Sequence, residues 1–194
     1  MRIRNVILAI MIASCLIACG GGAGSGAGGG LTLKMNGADV PFEVKSTGVY
    51  PSTKTFTFTK DGQSTITKAV NHYIALASFE METRGPVTMG RTLAADGETR
   101  VIFQIVGDEG TDEKAKLKAG TYKTKCEKYN CVDFVNLSRF VNGKEEKISV
   151  DTRKAEGEVR ITSVTEDSIS GEVDLTEGGN SVKGPFTAKI TTKR

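Results

Sequence analysis

Apolar and polar residues alternate one by one along most of this chain. Leu31, Leu33 and Met35 interleave with Thr32, Lys34 and Asn36, and Val40, Phe42 and Val44 with Pro41, Glu43 and Lys45. Phe56 and Phe58 sit among threonines in Lys54-Thr55-Phe56-Thr57-Phe58-Thr59-Lys60. A period of two gives each run one apolar and one polar face, as in antiparallel strands with one side on a core. His72 to Met81 and Arg100 to Val106 are more continuously apolar and read as central strands. Further strands are expected at Thr121–Lys125, Cys131–Phe140, Lys147–Asp151, Glu158–Val164, Ser168–Thr176 and Ser181–Thr192. Asn36-Gly37, Asp61-Gly62, Asn142-Gly143, Glu166-Asp167 and Glu177-Gly178-Gly179-Asn180 punctuate them as turns.

About ten or eleven short strands with regular turns predict an all-β fold, an antiparallel β-sandwich or alternatively a calycin-like barrel. Arg84 to Thr99, with Gly85-Pro86 and Asp96-Gly97, reads as a long connection or a ragged hairpin. Thr111 to Ala119 is the single short helix expected: Thr111 can cap it, Asp112 and Glu113 suit its positive end, and Gly120 can end it. Val159 and Ile161 share a face, as do Ile169 with Val173 and Phe186 with Ala188 and Ile190. These three runs are therefore expected to be consecutive antiparallel strands on one core, with Phe186 among the most buried residues.

The first 30 residues follow another pattern. A basic start, Met1-Arg2-Ile3-Arg4-Asn5, precedes an apolar run from Val6 to Ala18 that is short for a bilayer span and has the flanks of a secretory signal. Leu16-Ile17-Ala18-Cys19 resembles the bacterial lipobox. The resemblance implies removal of residues 1–18 and a lipidated Cys19 at the mature N-terminus. Gly20 to Gly30 contains only Gly, Ala and Ser and reads as a tether spanning about 18 Å. Its Gly24-x-Gly26-x-x-Gly29 match has neither a strand before it nor a helix after it, so it reads as linker rather than dinucleotide loop. Leu31 to Arg194 then forms one domain.

The chain of 194 residues has a formal charge of +3, with both signs interspersed throughout. No basic block supports a nucleic-acid partner. Of the 4 cysteines, Cys15 leaves with the signal and Cys19 takes the lipid, so Cys126 and Cys131 remain as a pair. In an oxidising compartment this predicts a local disulfide; a metal site would want more ligands, and a redox motif a tighter spacing.

Several short motifs together resemble a group of small bacterial lipoproteins of unknown function. They are Leu33-Lys34-Met35-Asn36-Gly37, Leu117-Lys118-Ala119-Gly120-Thr121-Tyr122, Gly157-Glu158-Val159-Arg160-Ile161-Thr162-Ser163-Val164, Ile169-Ser170-Gly171-Glu172-Val173 and Val182-Lys183-Gly184-Pro185-Phe186-Thr187-Ala188. Val173 stands where members often carry an aromatic. The resemblance implies an antiparallel β-sandwich and no particular activity. By resemblance to Gram-negative sorting, Gly20 after Cys19 implies the outer membrane.

Catalytic signatures are sparse. His72 is the 1 histidine of the chain and lies at the edge of an apolar run, where a structural role is expected. There is no Gly-x-Ser-x-Gly elbow, no His-Glu-x-x-His and no phosphate loop. Asp108-Glu109-Gly110-Thr111-Asp112-Glu113 does not match a calcium loop and reads as a solvated loop leading into the expected helix. Asn136-Leu137-Ser138 matches a glycosylation acceptor that carries little weight in a bacterial lipoprotein. The sequence thus points to a membrane-anchored binding or structural module of the cell envelope, with no catalytic residue, metal or cofactor, whose partner is an envelope protein or a small ligand. The alternative is a small-ligand carrier, or an envelope hydrolase using carboxylates.

Overall fold

The computed structural model describes residues 30–191. Its strands are β1 (Thr32–Met35), β2 (Ala38–Val40), β3 (Ser46–Lys60), β4 (Gln63–Ala77), β5 (Thr99–Glu109), β6 (Gly120–Lys123), β7 (Cys131–Val141), β8 (Lys144–Val150), β9 (Glu156–Val164), β10 (Ser168–Glu177) and β11 (Asn180–Lys189). One helical turn, α1 (Pro86–Met89), lies between β4 and β5. The residue pairs Asn36-Gly37, Asp61-Gly62 and Asn142-Gly143 all have positive φ, between 52° and 82°. Two adjacent left-handed residues turn the chain back in register with the strand twist, so each pair closes a tight hairpin.

The strands form one hydrogen-bonded path, β2-β1-β11-β10-β9-β6-β7-β5-β4-β3, with β8 branching from β7. Pairing is antiparallel throughout except between β6 and β7, so the sheet is mixed. The path returns on itself. Val49 of β3 bridges Ile190, just past β11, and the Thr191 N–H donates to the Val49 carbonyl at 2.8 Å. The all-β architecture expected from the alternation is present. Between its two expected forms, a single path whose last strand, β3, bridges back to the end of β11 favours barrel-like closure over two separate sheets.

The inner face carries one contiguous core, including Ile74, Leu76, Val101, Phe103, Val135, Leu137, Val159, Ile161, Ile169, Val173 and Phe186. The three C-terminal runs are consecutive antiparallel strands, as expected, and Phe186 is 4% exposed. Strict alternation would turn Val164 away from Val159 and Ile161. The register shift between Ser170 and Gly171 leaves Thr162 as an extra residue in β9, and Val164 rejoins the core side. Two glycines of the recurring motifs are explained by the same strands. A Cβ at Gly171 would stand 2.2 Å from the Arg160 carbonyl oxygen, and one at Gly157 (φ 111°) would stand 1.9 Å from that of Asp174.

Three expectations need correction. The strand expected over His72–Met81 ends at Ala77, and Met81 instead folds back onto the outer face against Ala75 and Ala77. Thr111–Ala119 is not helical but an irregular loop. Its capping groups are used elsewhere: Thr111 Oγ1 donates to the Asp108 carbonyl at 2.5 Å and accepts from the Val70 N–H at 2.9 Å, while the Glu113 N–H donates to Thr53 Oγ1 at 3.1 Å. The loop is thereby tied to β3 and β4 and drives Leu117 into the core. The expected strand Val40–Val44 is paired only as far as Val40, where Pro41 supplies no N–H to continue the ladder. Phe42 and Val44 keep their alternation and still pack against the core.

Phe186 meets Phe103 across the interior, edge to face at 5.2 Å. Phe186→Ala should therefore cost about 3–5 kcal/mol in urea unfolding. Gly171→Ala should cost about 1–3 kcal/mol by overpacking, whereas Ser170→Ala should lie within about 0.5 kcal/mol of the parent, as surface substitutions do. A Phe186→Ala loss below about 1 kcal/mol would mean that this side chain does not fill the core.

Candidate functional site

The sheet interior is the first place to look for a ligand, and a contiguous apolar core packs there. Leu117, on the 111–119 loop, is 3% exposed and belongs to the same core as Phe103 and Phe186. His72 points to this inner side, in register with Pro51 on β3 and Ile105 on β5. It is 4% exposed, and its Nδ1 has no partner among the described residues. Burial alone lowers its pKa from 6.5 to about 4. Burial thus holds the imidazole neutral, and its register neighbours Pro51 and Ile105 offer no carboxylate to orient it.

The acidic run at 108–113 is tied to β3, β4 and its own loop. Asp108 pairs with Lys118 at 2.5 Å and Asp112 with Lys68 at 3.3 Å. Glu109 accepts from the Tyr129 hydroxyl at 3.1 Å, and Glu113 accepts from Thr53. The hydrogen bond from Lys118 holds Asp108 below the ordinary carboxylate range, and the Lys114 backbone N–H does the same for Asp112. These carboxylates are spent on lysines, hydroxyls and backbone. Among the described residues, no group of three or more His, Cys, Asp or Glu is placed to hold a metal ion. On the protein surface, a shallow hollow of about 390 Å³ is lined by Pro41, Phe42, Glu43, Lys45, Ser78 and Gly97. It gathers no set of convergent polar groups.

The outer face carries the more distinctive construction. β3 and β4 are 15 residues each and pair without interruption up to the Asp61-Gly62 turn. Cys126 and Cys131 lie at disulfide distance, with Cα atoms 5.9 Å apart. The loop they close rests on the outer face of this long hairpin. Tyr129 packs edge to face on Phe56 at 5.2 Å and bonds the Thr67 hydroxyl, Lys128 sits 3.1 Å above the Phe58 ring, and Lys54 pairs with Asp133 at 2.5 Å. Asp133 is the extra residue of the β7 irregularity opposite Gln104 and Ile105, which frees its side chain to reach β3.

A second cover, residues 78–98 with α1, crosses the outer face over β4, β5 and β7. Met81 and Met89 bury against Ala75, Ala77 and Ile102, with Tyr50, Tyr73, Phe79 and Phe134 at the rim. Arg100 lies beneath it, its side chain 2% exposed, donating to the Arg91 carbonyl at 2.5 Å and standing 3.5 Å from Glu145. Burial draws its guanidinium below the usual arginine value. Arg91 covers the Phe79 ring at 4.5 Å and grips Glu98 with both nitrogens, at 2.7 and 3.3 Å. Sequence reading missed this cover. The available signal was Ala75 and Ala77, two small residues alternating in an otherwise bulky strand.

Cys19 and the segment expected to be signal and tether lie outside the described residues. No described helix is long and apolar enough to cross a membrane. Comparison with protein-family models, characterised proteins and solved structures finds no match.

Two outcomes follow from this geometry. His72 binds a proton more readily unfolded than folded, so stability is full above about pH 6.5 and falls as the pH drops toward 4. The loss over that window should approach about 3 kcal/mol, and His72→Gln should flatten it in urea titrations between those pH values. A parent and variant with equal pH slopes would count against a neutral buried His72. Cys126→Ser with Cys131→Ser should cost about 2 kcal/mol or less globally, because the loop is short. Amide exchange should quicken chiefly at residues 54–67 and 124–131, where the loop holds the hairpin; uniform quickening would contradict the clamp.

Proposed function

We propose that the chain is an exported lipoprotein of the bacterial envelope, attached through acylated Cys19 and presenting its β-domain as a binding or structural module. The observation that supports the module over the carrier is the packed core: Phe103 meets Phe186 edge to face, and Leu117 joins the same cluster. A carrier needs a cavity of several hundred Å³ lined by apolar groups. Here the apolar groups are spent on one another. The neutral, unoriented His72 and the lysine-paired carboxylates at 108–113 support a non-catalytic reading in the same way. What the domain has to offer a partner lies on its edges and in its clamped outer loops.

The lipobox, the preceding apolar run and the Gly-rich stretch after Cys19 support the anchor, and Gly20 supports the outer membrane. Two acyl signals hold a protein on a bilayer far more firmly than a single chain does. Mass spectrometry of the membrane fraction should find an acylated peptide beginning at Cys19, and Cys19→Ala should release the chain without changing its unfolding midpoint. A mature terminus elsewhere, with no lipid, would sink the anchor. An apolar fluorescent probe titrated against the native protein should show no saturable, stoichiometric binding. Tight stoichiometric uptake would restore the carrier.

A further inference from the structure

The long hairpin leaves one backbone edge uncovered. β3 ends the strand path, and among the described residues Thr53–Lys60 pairs with β4 on one side and with no strand on the other. Which groups face outward follows from the turn. Lys60 and Gln63 flank the two-residue turn, and such a closing pair exchanges both backbone hydrogen bonds. The register runs unbroken from there to Ser46 opposite Ala77. Even-numbered residues of β3 thus spend their N–H and C=O groups on β4, and odd-numbered ones turn theirs away. Val49 obeys this rule, its carbonyl accepting from Thr191 on the far side at 2.8 Å. Thr53, Thr55, Thr57 and Thr59 therefore present outward backbone groups. Pro51, which has no N–H, ends the usable edge.

The side chains along that edge have their own symmetry. Lys54-Thr55-Phe56-Thr57-Phe58-Thr59-Lys60 reads identically in both directions about Thr57. Laid antiparallel against a second copy of itself with Thr57 opposite Thr57, the segment makes a complete set of matched pairs. Thr57 exchanges both backbone hydrogen bonds with its counterpart, and Thr55 does so with Thr59. Phe56 faces Phe58 in the closer, non-hydrogen-bonded positions. Cross-strand aromatic and threonine pairs are both favourable. A surface that is its own complement is what a two-fold interface requires.

We propose that two copies of this chain join edge to edge through β3, antiparallel about a two-fold axis at Thr57, so that β4-β3-β3-β4 becomes one continuous sheet. The clamp fits this arrangement. Tyr129 and Lys128 hold Phe56 and Phe58 from above and keep the edge straight beyond the barrel, while the threonine face opposite stays clear. The cost lies at the ends, where Lys54 meets Lys60 of the other copy. Asp133 already pairs Lys54 and moderates that repulsion. The contact is small for a stable dimer. If the Cys19 anchor holds, confinement to one membrane raises the effective concentration, but the pairing itself does not depend on it.

The test uses the full-length chain, in cells and purified in detergent. In the joined sheet the two Thr57 Cα atoms stand about 5.5 Å apart, within disulfide reach. Two copies of Thr53 are separated by roughly 27 Å. Thr57→Cys should give a dimer on non-reducing gels, and Thr53→Cys should stay monomeric under the same oxidation. Sedimentation of the parent should show a concentration-dependent dimer that strengthens as salt screens the lysines. Thr57→Pro removes only an outward N–H, so it should abolish the dimer and leave the unfolding midpoint in place. Thr57→Lys, which sets two charges against each other, serves if the proline disturbs folding. Equal cross-linking at both positions, a parent that sediments as monomer up to high micromolar concentration, or a dimer that survives Thr57→Lys would overturn the proposal.

Discussion

Closure of the sheet on itself is the constraint on which the rest of this structure depends. The start of β3 meets the end of β11 through the Val49–Ile190 bridge. A closed sheet has one inside, and every strand that lines it must turn apolar residues the same way. Register is therefore costly to change, because a slip by one residue would expose a whole face. Where a strand falls out of phase, an extra residue restores it: Thr162 in β9 returns Val164 to the core side, and Asp133 in β7 lets Val132 and Val135 face inward together. The carbonyl contacts at Gly157 and Gly171 belong to the same region of close strand approach.

A sheet filled on the inside still has an outer face to manage. Two segments cover parts of it in different ways. Residues 78–98 bury methionines against a patch made shallow by Ala75 and Ala77, and take Arg100 with them. That guanidinium is costly to bury and is only partly compensated, since its Nε has no partner among the described residues. The 126–131 loop instead uses one covalent closure, an aromatic edge contact and an ion pair to hold a projecting hairpin. Both covers use exposed strand faces that would otherwise be solvated or sticky.

The division of labour bears on function. With the interior given over to packing and the 108–113 carboxylates tied to lysines, hydroxyls and backbone, any contact with a partner would fall to surfaces that packing does not consume. The hairpin supplies the longest of these. Its tip joins a face of threonines, with Ile66 68% exposed among them, to a backbone edge that no described strand occupies. Uncovered edges are normally blunted by charge, proline or cover. Lys54, Lys60 and Pro51 bracket this one and leave its centre open.

By itself the sequence determined most of the strands, their turns, the inward residues of β9 to β11 and the proximity of Cys126 and Cys131. These depend on local rules: a side-chain period of two, left-handed Asn-Gly and Asp-Gly turns, and a short span between two cysteines. The Thr111–Ala119 helix failed because capping residues satisfy whichever backbone group is nearest, and here Val70 and Asp108 were nearer than a helical turn. Closure of the sheet, the cover over Arg100 and the clamp of Tyr129 on Phe56 were decided only by the tertiary structure. Each joins residues far apart in the chain, and local periodicity carries no information about which distant strand edge or outer face a segment will meet.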